Sequence, residues 1–189
     1  SAKTICKRYK GNQAHAEYLE QMAGKFFDLL QKYHGLGERE RLLLRLAAIL
    51  HDCGKFISMS APGECAYQII MSTEILGISH MEREMVASIV RYNTMELPNF
   101  SEFDGKLGND EYLIVMKLAA ILRVCNALDR SHRQKFADMK LTIKDSNIVI
   151  TTAYPDNITL EKKTLQDKQG FFEEVYGLGF EIKQKKKKQ

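Results

Sequence analysis

The stretch Leu46-Ala47-Ala48-Ile49-Leu50-His51-Asp52-Cys53-Gly54-Lys55 decides the reading of this chain. From Leu42 to Leu50 the residues are apolar almost all round, Arg45 being the exception, so the segment reads as a buried helix. The apolar run stops on an adjacent His and Asp, then a Gly turn and a Lys. Such a pair at the end of a buried helix can place an imidazole nitrogen and a carboxylate oxygen on one cation. That donor set suits magnesium, manganese or a transition metal. Two side chains do not hold an ion, so further ligands must come from other helices, as they do inside helical bundles.

Upstream of this stretch, His15, Leu19, Met22, Phe26, Leu30 and Tyr33 recur three or four residues apart. That spacing predicts a long amphipathic helix over 11–33 with His15 on its apolar face. Gly35-Leu36-Gly37 stops it, and a second helix over 38–50 leads into His51. The chain starts Ser1-Ala2-Lys3 rather than with Met and is helical in pattern at once, as expected of a piece of a longer protein.

Downstream, Pro62 stands where a third helix begins, with Ala66, Ile69, Ile70 and Thr73 inward. Ser79 with Glu82 three residues on is a capping box for a fourth helix whose inner face is Met85, Val86, Ile89 and Val90. Residues 94–109, with Pro98, Gly105 and Gly108, read as a loop. A fifth helix over 110–128 is apolar on nearly every side and belongs at the centre of a bundle. Near its end stand Asn126 and Asp129, three apart, which can join His15, His51 and Asp52 as metal ligands. The period then changes. Residues 139–143 and 148–152 alternate around Asp145-Ser146-Asn147 as a hairpin, a sixth helix covers 160–176, and a short strand covers 180–183. The expected fold is mainly α: a helical bundle over 1–135, a small C-terminal α+β appendage over 136–183, and a basic tail over 184–189.

Composition fits this outline. The chain has 189 residues, 44% hydrophobic and 28% charged, enough for one domain with a real core. Collagen-like, disulfide-scaffold and wholly disordered classes are excluded. No apolar run approaches the roughly 20 residues of a membrane span, and no secretory signal is visible. The four cysteines make no Cys-x-x-Cys pair and read as reduced thiols of a cytoplasmic protein. The net charge of +4 is unevenly spread. Lys183, Lys185, Lys186, Lys187 and Lys188 close the chain, and Lys3, Lys7, Arg8 and Lys10 open it. Without these nine the rest carries about −5. Basic ends suit a polyanion such as RNA, polyphosphate or a membrane surface, although a short Lys run at a terminus also reads as a solvated tail.

Each candidate has a plainer structural reading. His51-Asp52 can be a satisfied buried pair that holds a helix end, and His15 a core histidine. Lys55 reads as a phosphate contact or as a solvent lysine favouring the helix dipole. His34 reads as a surface residue before a Gly turn, Met71, Met81 and Met85 as core filler, and His80 and His132 have no partner that spacing supplies.

The ordered segments His15, then His51-Asp52-Cys53-Gly54-Lys55, then Leu122-Arg123-Val124-Cys125-Asn126-Ala127-Leu128-Asp129 resemble the HD-domain superfamily of metal-dependent phosphohydrolases. Together with Phe26-Phe27-Asp28-Leu29-Leu30, Arg130-Ser131-His132 and Phe171-Phe172-Glu173-Glu174-Val175-Tyr176-Gly177, they are more closely similar to the C-terminal HD-like region of the exopolyphosphatase/guanosine-pentaphosphate phosphatase (Ppx/GppA) family. The resemblance implies an HD-type helical bundle with a degenerate divalent-metal site at His15, His51, Asp52, Asn126 and Asp129. The site is degenerate because Asn126 stands where the superfamily has Asp, and a neutral carbonyl offers a cation less charge than carboxylate. The His pairs that many HD enzymes carry after the motif are missing here. The metal is therefore expected to be single and weakly held, or absent.

For function, the resemblance implies an accessory domain. Hydrolysis in the family belongs to an actin-like N-terminal part with Gly-rich phosphate loops, which this chain lacks. The helical region is expected to pack on that part, to support a homodimer and to help hold polyphosphate or guanosine pentaphosphate. The alternative is an autonomous HD phosphohydrolase acting on a nucleotide or phosphate ester, with metal-activated water as nucleophile and Lys55 on a phosphate oxygen. A third reading is an interaction module whose basic tail binds RNA with steep salt dependence.

Overall fold

Apolar residues at helical spacing build most of the chain. The computed structural model describes residues 1–103 and 106–185. Lys186, Lys187 and Lys188 of the expected basic tail, and Gly105 of the expected loop, lie outside them. The helices are α1 (Ala2–Arg8), α2 (Gln13–Leu29), α3 (Gln31–His34), α4 (Glu38–Leu50), α5 (Pro62–Met71), α6 (His80–Thr94), α7 (Asn109–Leu128) and α8 (Thr159–Tyr176). Three strands, β1 (Lys140–Lys144), β2 (Asn147–Thr152) and β3 (Gly179–Gln184), make one small sheet. The fold is mainly α with a small α+β appendage, as the hydrophobic periods predict. Among the described residues no helix is long and apolar enough to cross a membrane.

α7 is the central helix. Val115, Leu118, Ala119, Ala120, Ile121, Leu122, Val124, Cys125 and Leu128 are all buried, so α7 meets protein around its circumference. α2, α4 and α6 surround it with Leu19, Met22, Phe26, Leu43, Leu44, Ala47, Val86, Ile89 and Val90. The capping box at Ser79 and Glu82 starts α6 as its sequence predicts, with the Ser79 N–H donating to Glu82 Oε2 at 2.7 Å and the Glu82 N–H to Ser79 Oγ at 3.2 Å.

The helix expected over 11–33 is broken. Leu30, at φ −89° and ψ 5°, leaves helical geometry and separates α2 from the single turn α3. The break turns the next residues to new directions. Tyr33, expected inward, is 48% exposed, and His34, expected at the surface, is 4% exposed. His34 Nε2 donates to the Phe27 carbonyl at 2.9 Å, and its Nδ1 accepts from the Leu36 N–H at 2.9 Å. Gly35 closes the turn at φ 65°, a left-handed conformation that favours glycine.

Two smaller expectations also change. α5 stops at Met71, so Thr73 lies beyond it, its hydroxyl donating to the Ile69 carbonyl at 2.7 Å. Met85 is buried as expected, Met71 half-buried, and Met81 exposed on the first turn of α6.

In the appendage, β1 and β2 pair antiparallel with Leu141 opposite Ile150, and β3 runs parallel to β2 with Ile182 opposite Ile150. The hairpin turn is two residues, Asp145 and Ser146, both at positive φ, which is the twist that joins antiparallel strands tightly. Asn147, expected in the turn, is the first residue of β2. α8 is the crossover between β2 and β3, as a parallel pair requires. It lies on α7, where the Tyr176 hydroxyl donates to the Lys117 carbonyl at 2.9 Å and the Arg123 guanidinium sits 4.4 Å from the Phe171 ring centre.

Candidate metal and phosphate site

Three helix ends meet at one place: the start of α2, the end of α4 and the end of α7. Asn12 caps α2, its side-chain oxygen accepting from the His15 N–H at 3.1 Å, and so sets His15 in the first turn. His51 is the residue at which α4 ends, and Asp52 and a single turn of tighter helix, Cys53–Phe56, come next. Gly54 in that turn lets the chain pass against α5, because a Cβ there would lie 1.9 Å from the Pro62 carbonyl oxygen. Asp129 is the residue at which α7 ends. The carbonyl ends of α4 and α7 bring negative potential to this point, which favours a cation.

His15 and Asp129 are joined across the core. His15 Nδ1 donates to Asp129 Oδ2 at 2.6 Å, with both side chains buried. The other oxygen, Asp129 Oδ1, accepts from the Gln134 N–H at 2.8 Å. Asp129 thus sits at the site, but both its oxygens are engaged with His15 and the backbone. It positions His15 rather than facing outward to an ion. His51 is held likewise, its Nδ1 donating to the Ala48 carbonyl at 2.7 Å. The His15 and His51 rings lie edge to face at 4.9 Å.

Asp52 stands in front of these rings. His51 Nε2 and Lys55 Nζ lie 3.2 and 2.7 Å from Asp52 Oδ1. Burial alone raises the Asp52 carboxyl, but the closeness of His51 and Lys55 outweighs it and holds the group well below the usual carboxylate range. Asp52 is ionised at neutral pH.

His132 is the residue that sequence reasoning missed. It lies in the turn after α7, at φ 56°, with its N–H donating to the Asp129 carbonyl at 2.9 Å. Its ring stacks on His15 with centres 3.8 Å apart. Burial and the neighbouring His15 ring push its pKa down, which favours the neutral imidazole with a lone pair to offer. One potential ligand atom from each of His15, Asp52 and His132 falls within 4.8 Å of the others. The available signal was its spacing, three residues after Asp129 and just past a helix end, where a turn can bring a side chain back over the helix terminus. Asn126 is half-buried, and among the described residues no hydrogen bond or ion pair ties it to His15, His51 or Asp52.

Asp52 and His132 line a cleft of about 290 Å³ together with Tyr9, Lys10, Asn12, Lys55 and Phe56, and His15, His51 and Asp129 are buried behind them. Lys10 Nζ lies 5.5 Å from the Phe56 ring centre. Lys7 and Arg8 precede it in the exposed last turn of α1. Lys10 and Lys55 therefore rim a cleft whose floor holds the His132 imidazole and the Asp52 carboxylate. A cationic rim can take phosphate oxygens, and the floor presents the nitrogen and oxygen donors that bind a divalent ion.

The fold and this cleft define a helical domain with a His-Asp cluster at converging helix ends. The family comparison is more specific: a model of the Ppx/GppA phosphatase, domain III, matches residues 1–169, and the chain belongs to that family. A comparison with curated proteins gives no significant match.

Proposed function

We propose that this chain is the accessory helical domain of a Ppx/GppA-type phosphatase, working beside an actin-like catalytic part of the parent protein and holding an anionic phosphate chain on the basic cleft. The observation that carries the reading is that Lys10 and Lys55 line the cleft, with Lys7 and Arg8 exposed in the turn of α1 just before it; Lys7, Arg8 and Lys10 make no ion pair among the described residues. A polyphosphate chain presents one charge after another, and spaced cations track it without needing a closed pocket. Guanosine pentaphosphate offers the same chemistry over a shorter length. A homodimer and a cytoplasmic location complete the proposal.

The test is binding of a fluorescent long-chain polyphosphate, measured by anisotropy at several salt concentrations. Affinity should fall steeply as salt rises. Arg8→Glu with Lys10→Glu should weaken it at least about tenfold, the effect of reversing two charges that each contribute about 1 kcal/mol. Binding that is indifferent to both salt and this double variant would sink the reading.

A second reading, hydrolysis of a phosphate ester by this chain itself, is favoured by Asp52 and His132 lining the same cleft with His15 close behind them. A bound ion would supply the activated water, while Lys55 would neutralise a phosphate oxygen and Asp129 would hold His15 in place. Phosphatase activity that survives in His51→Ala would count against it.

A further inference from the structure

A second cavity, of about 570 Å³, lies between the end of α6, the residues that follow it, α7 and α8. It shares no lining residue with the cleft at the His-Asp cluster. Its size is that of sites for small organic ligands, about 300–1,000 Å³. Arg123 of α7 builds one wall. Its Nε donates to the Tyr92 carbonyl at 2.7 Å, its Nη2 donates to the Met95 carbonyl, and its guanidinium lies 4.4 Å from the Phe171 ring centre of α8. The wall is thus pinned to α6 and α8 at once.

Two residues of this cavity are not explained by packing within the chain. Asn93, in the last turn of α6, lines it and is 5% exposed. Both its amide atoms, Nδ2 and Oδ1, are buried and have no hydrogen-bond partner among the described residues. Buried polar groups are nearly always paired, because leaving one unmet is costly. Gly170 stands inside α8, where glycine weakens a helix. It is not in the left-handed region, and a Cβ there would meet nothing within 4 Å. Gly170 also lines the cavity, so α8 presents bare backbone to an occupant.

We propose that this cavity binds an adenine nucleoside, with Asn93 turning its amide onto the base and Gly170 letting the ligand lie against α8. The Asn amide has one donor and one acceptor. Adenine presents an N6–H donor beside the N7 acceptor and pairs with Asn at both, whereas guanine presents two acceptors, N7 and O6, on that edge. Tyr112, Met116 and Phe171 supply the aromatic and apolar surface on which a base packs. Glu96, Asp167 and Glu174 outnumber Lys168 and Arg123 in the lining. Those carboxylates can accept from ribose hydroxyls and repel a chain of phosphates. The proposal goes beyond the accessory reading and rests on different residues, so either can fail alone.

The test is titration of the 189-residue chain with adenosine, read by calorimetry and by saturation-transfer NMR. One equivalent should bind. Guanosine should bind at least about fivefold more weakly, the lower end of what one bidentate contact discriminates. Long-chain polyphosphate, expected at the basic cleft, should not displace adenosine. Gly170→Leu fills the space beside α8 and should abolish saturable binding. Circular dichroism should show it melting no lower than the wild type, because leucine favours a helix over glycine. Asn93→Leu, which removes the amide but keeps an apolar side chain of similar size, should bind adenosine and guanosine alike. The assignment is overturned if adenosine does not saturate the wild-type chain, if guanosine binds equally well, if polyphosphate displaces adenosine, if folded Gly170→Leu binds with unchanged affinity, or if Asn93→Leu keeps the preference for adenosine.

Discussion

The carboxylate of Asp129, at the end of α7, accepts a hydrogen bond from His15 Nδ1, near the start of α2, at 2.6 Å. This one contact ties two residues 114 apart in sequence and sets the tautomer of the buried His15 ring. Asp129→Ala leaves His15 Nδ1 and the Gln134 N–H buried without acceptors. It should destabilise the chain by about 3 kcal/mol, the cost of stripping one partner from a buried polar pair. Urea denaturation measures this, and a loss below about 1 kcal/mol would show that the contact is not a structural tie.

Gly54→Ala tests how the His-Asp turn is seated. The added Cβ would fall 1.9 Å from the Pro62 carbonyl oxygen and 2.5 Å from the Ala66 nitrogen, both rigid backbone atoms of α5. α5 must move or the turn must unfold. A loss of about 3 kcal/mol is expected, at the upper end for overpacking. A variant as stable as the wild type would mean that the turn and α5 are not packed as described.

Acid stability should depend on Glu82. Arg39 from α4 forks onto both its oxygens, with Nη2 to Oε2 at 2.7 Å, and the Ser79 N–H adds a further donor. These hold the Glu82 carboxyl down at about 2, against an ordinary 4.5. A group whose folded pKa lies below its unfolded value stabilises fully above the unfolded pKa and loses that contribution as pH falls through the folded one. Thermal melts between about pH 5 and pH 2 should therefore show a decline that Glu82→Gln flattens. An identical acid limb in the variant would remove Glu82 from the cause.

The thiols should divide three to one. Cys6, Cys53 and Cys125 are buried, and Cys65 is half-buried. Burial pushes the Cys53 thiol up to about 12 and raises those of Cys125 and Cys6 as well. Thiolate is the reactive form, so alkylation near pH 8 should mark Cys65 first in the native chain and all four only after unfolding. Mass spectrometry of the labelled peptides reads the order. Fast labelling of Cys53 would contradict its burial.

Much of the architecture was legible because local chemistry dictates it. The capping box at Ser79 and Glu82, the proline that opens α5 and the all-round apolar face of α7 are short-range signals, and the structure realises each one. The break at Leu30 was not legible. A 3.6-residue period runs through that residue, and only the packing of the next turn puts His34 inside and Tyr33 outside.

The candidate site divides in the same way. Residue order alone marked His15, His51 and Asp52, since an inward His and a His-Asp pair at a buried helix end are visible in one dimension. What each does was decided by tertiary structure. Asp129 and Asn126 stand three residues apart near one helix end, and sequence does not say which of them turns toward His15. In three dimensions Asp129 is spent on His15 and a backbone N–H, while Asn126 has no such tie to the cluster among the described residues. His132 had no partner in the sequence and acquires one because the turn after α7 folds back over the start of α2, stacking it on His15. The physical reason is reach. Period and capping report on neighbours within a turn or two, whereas a ligand set is assembled from side chains that meet only when separate helix ends converge.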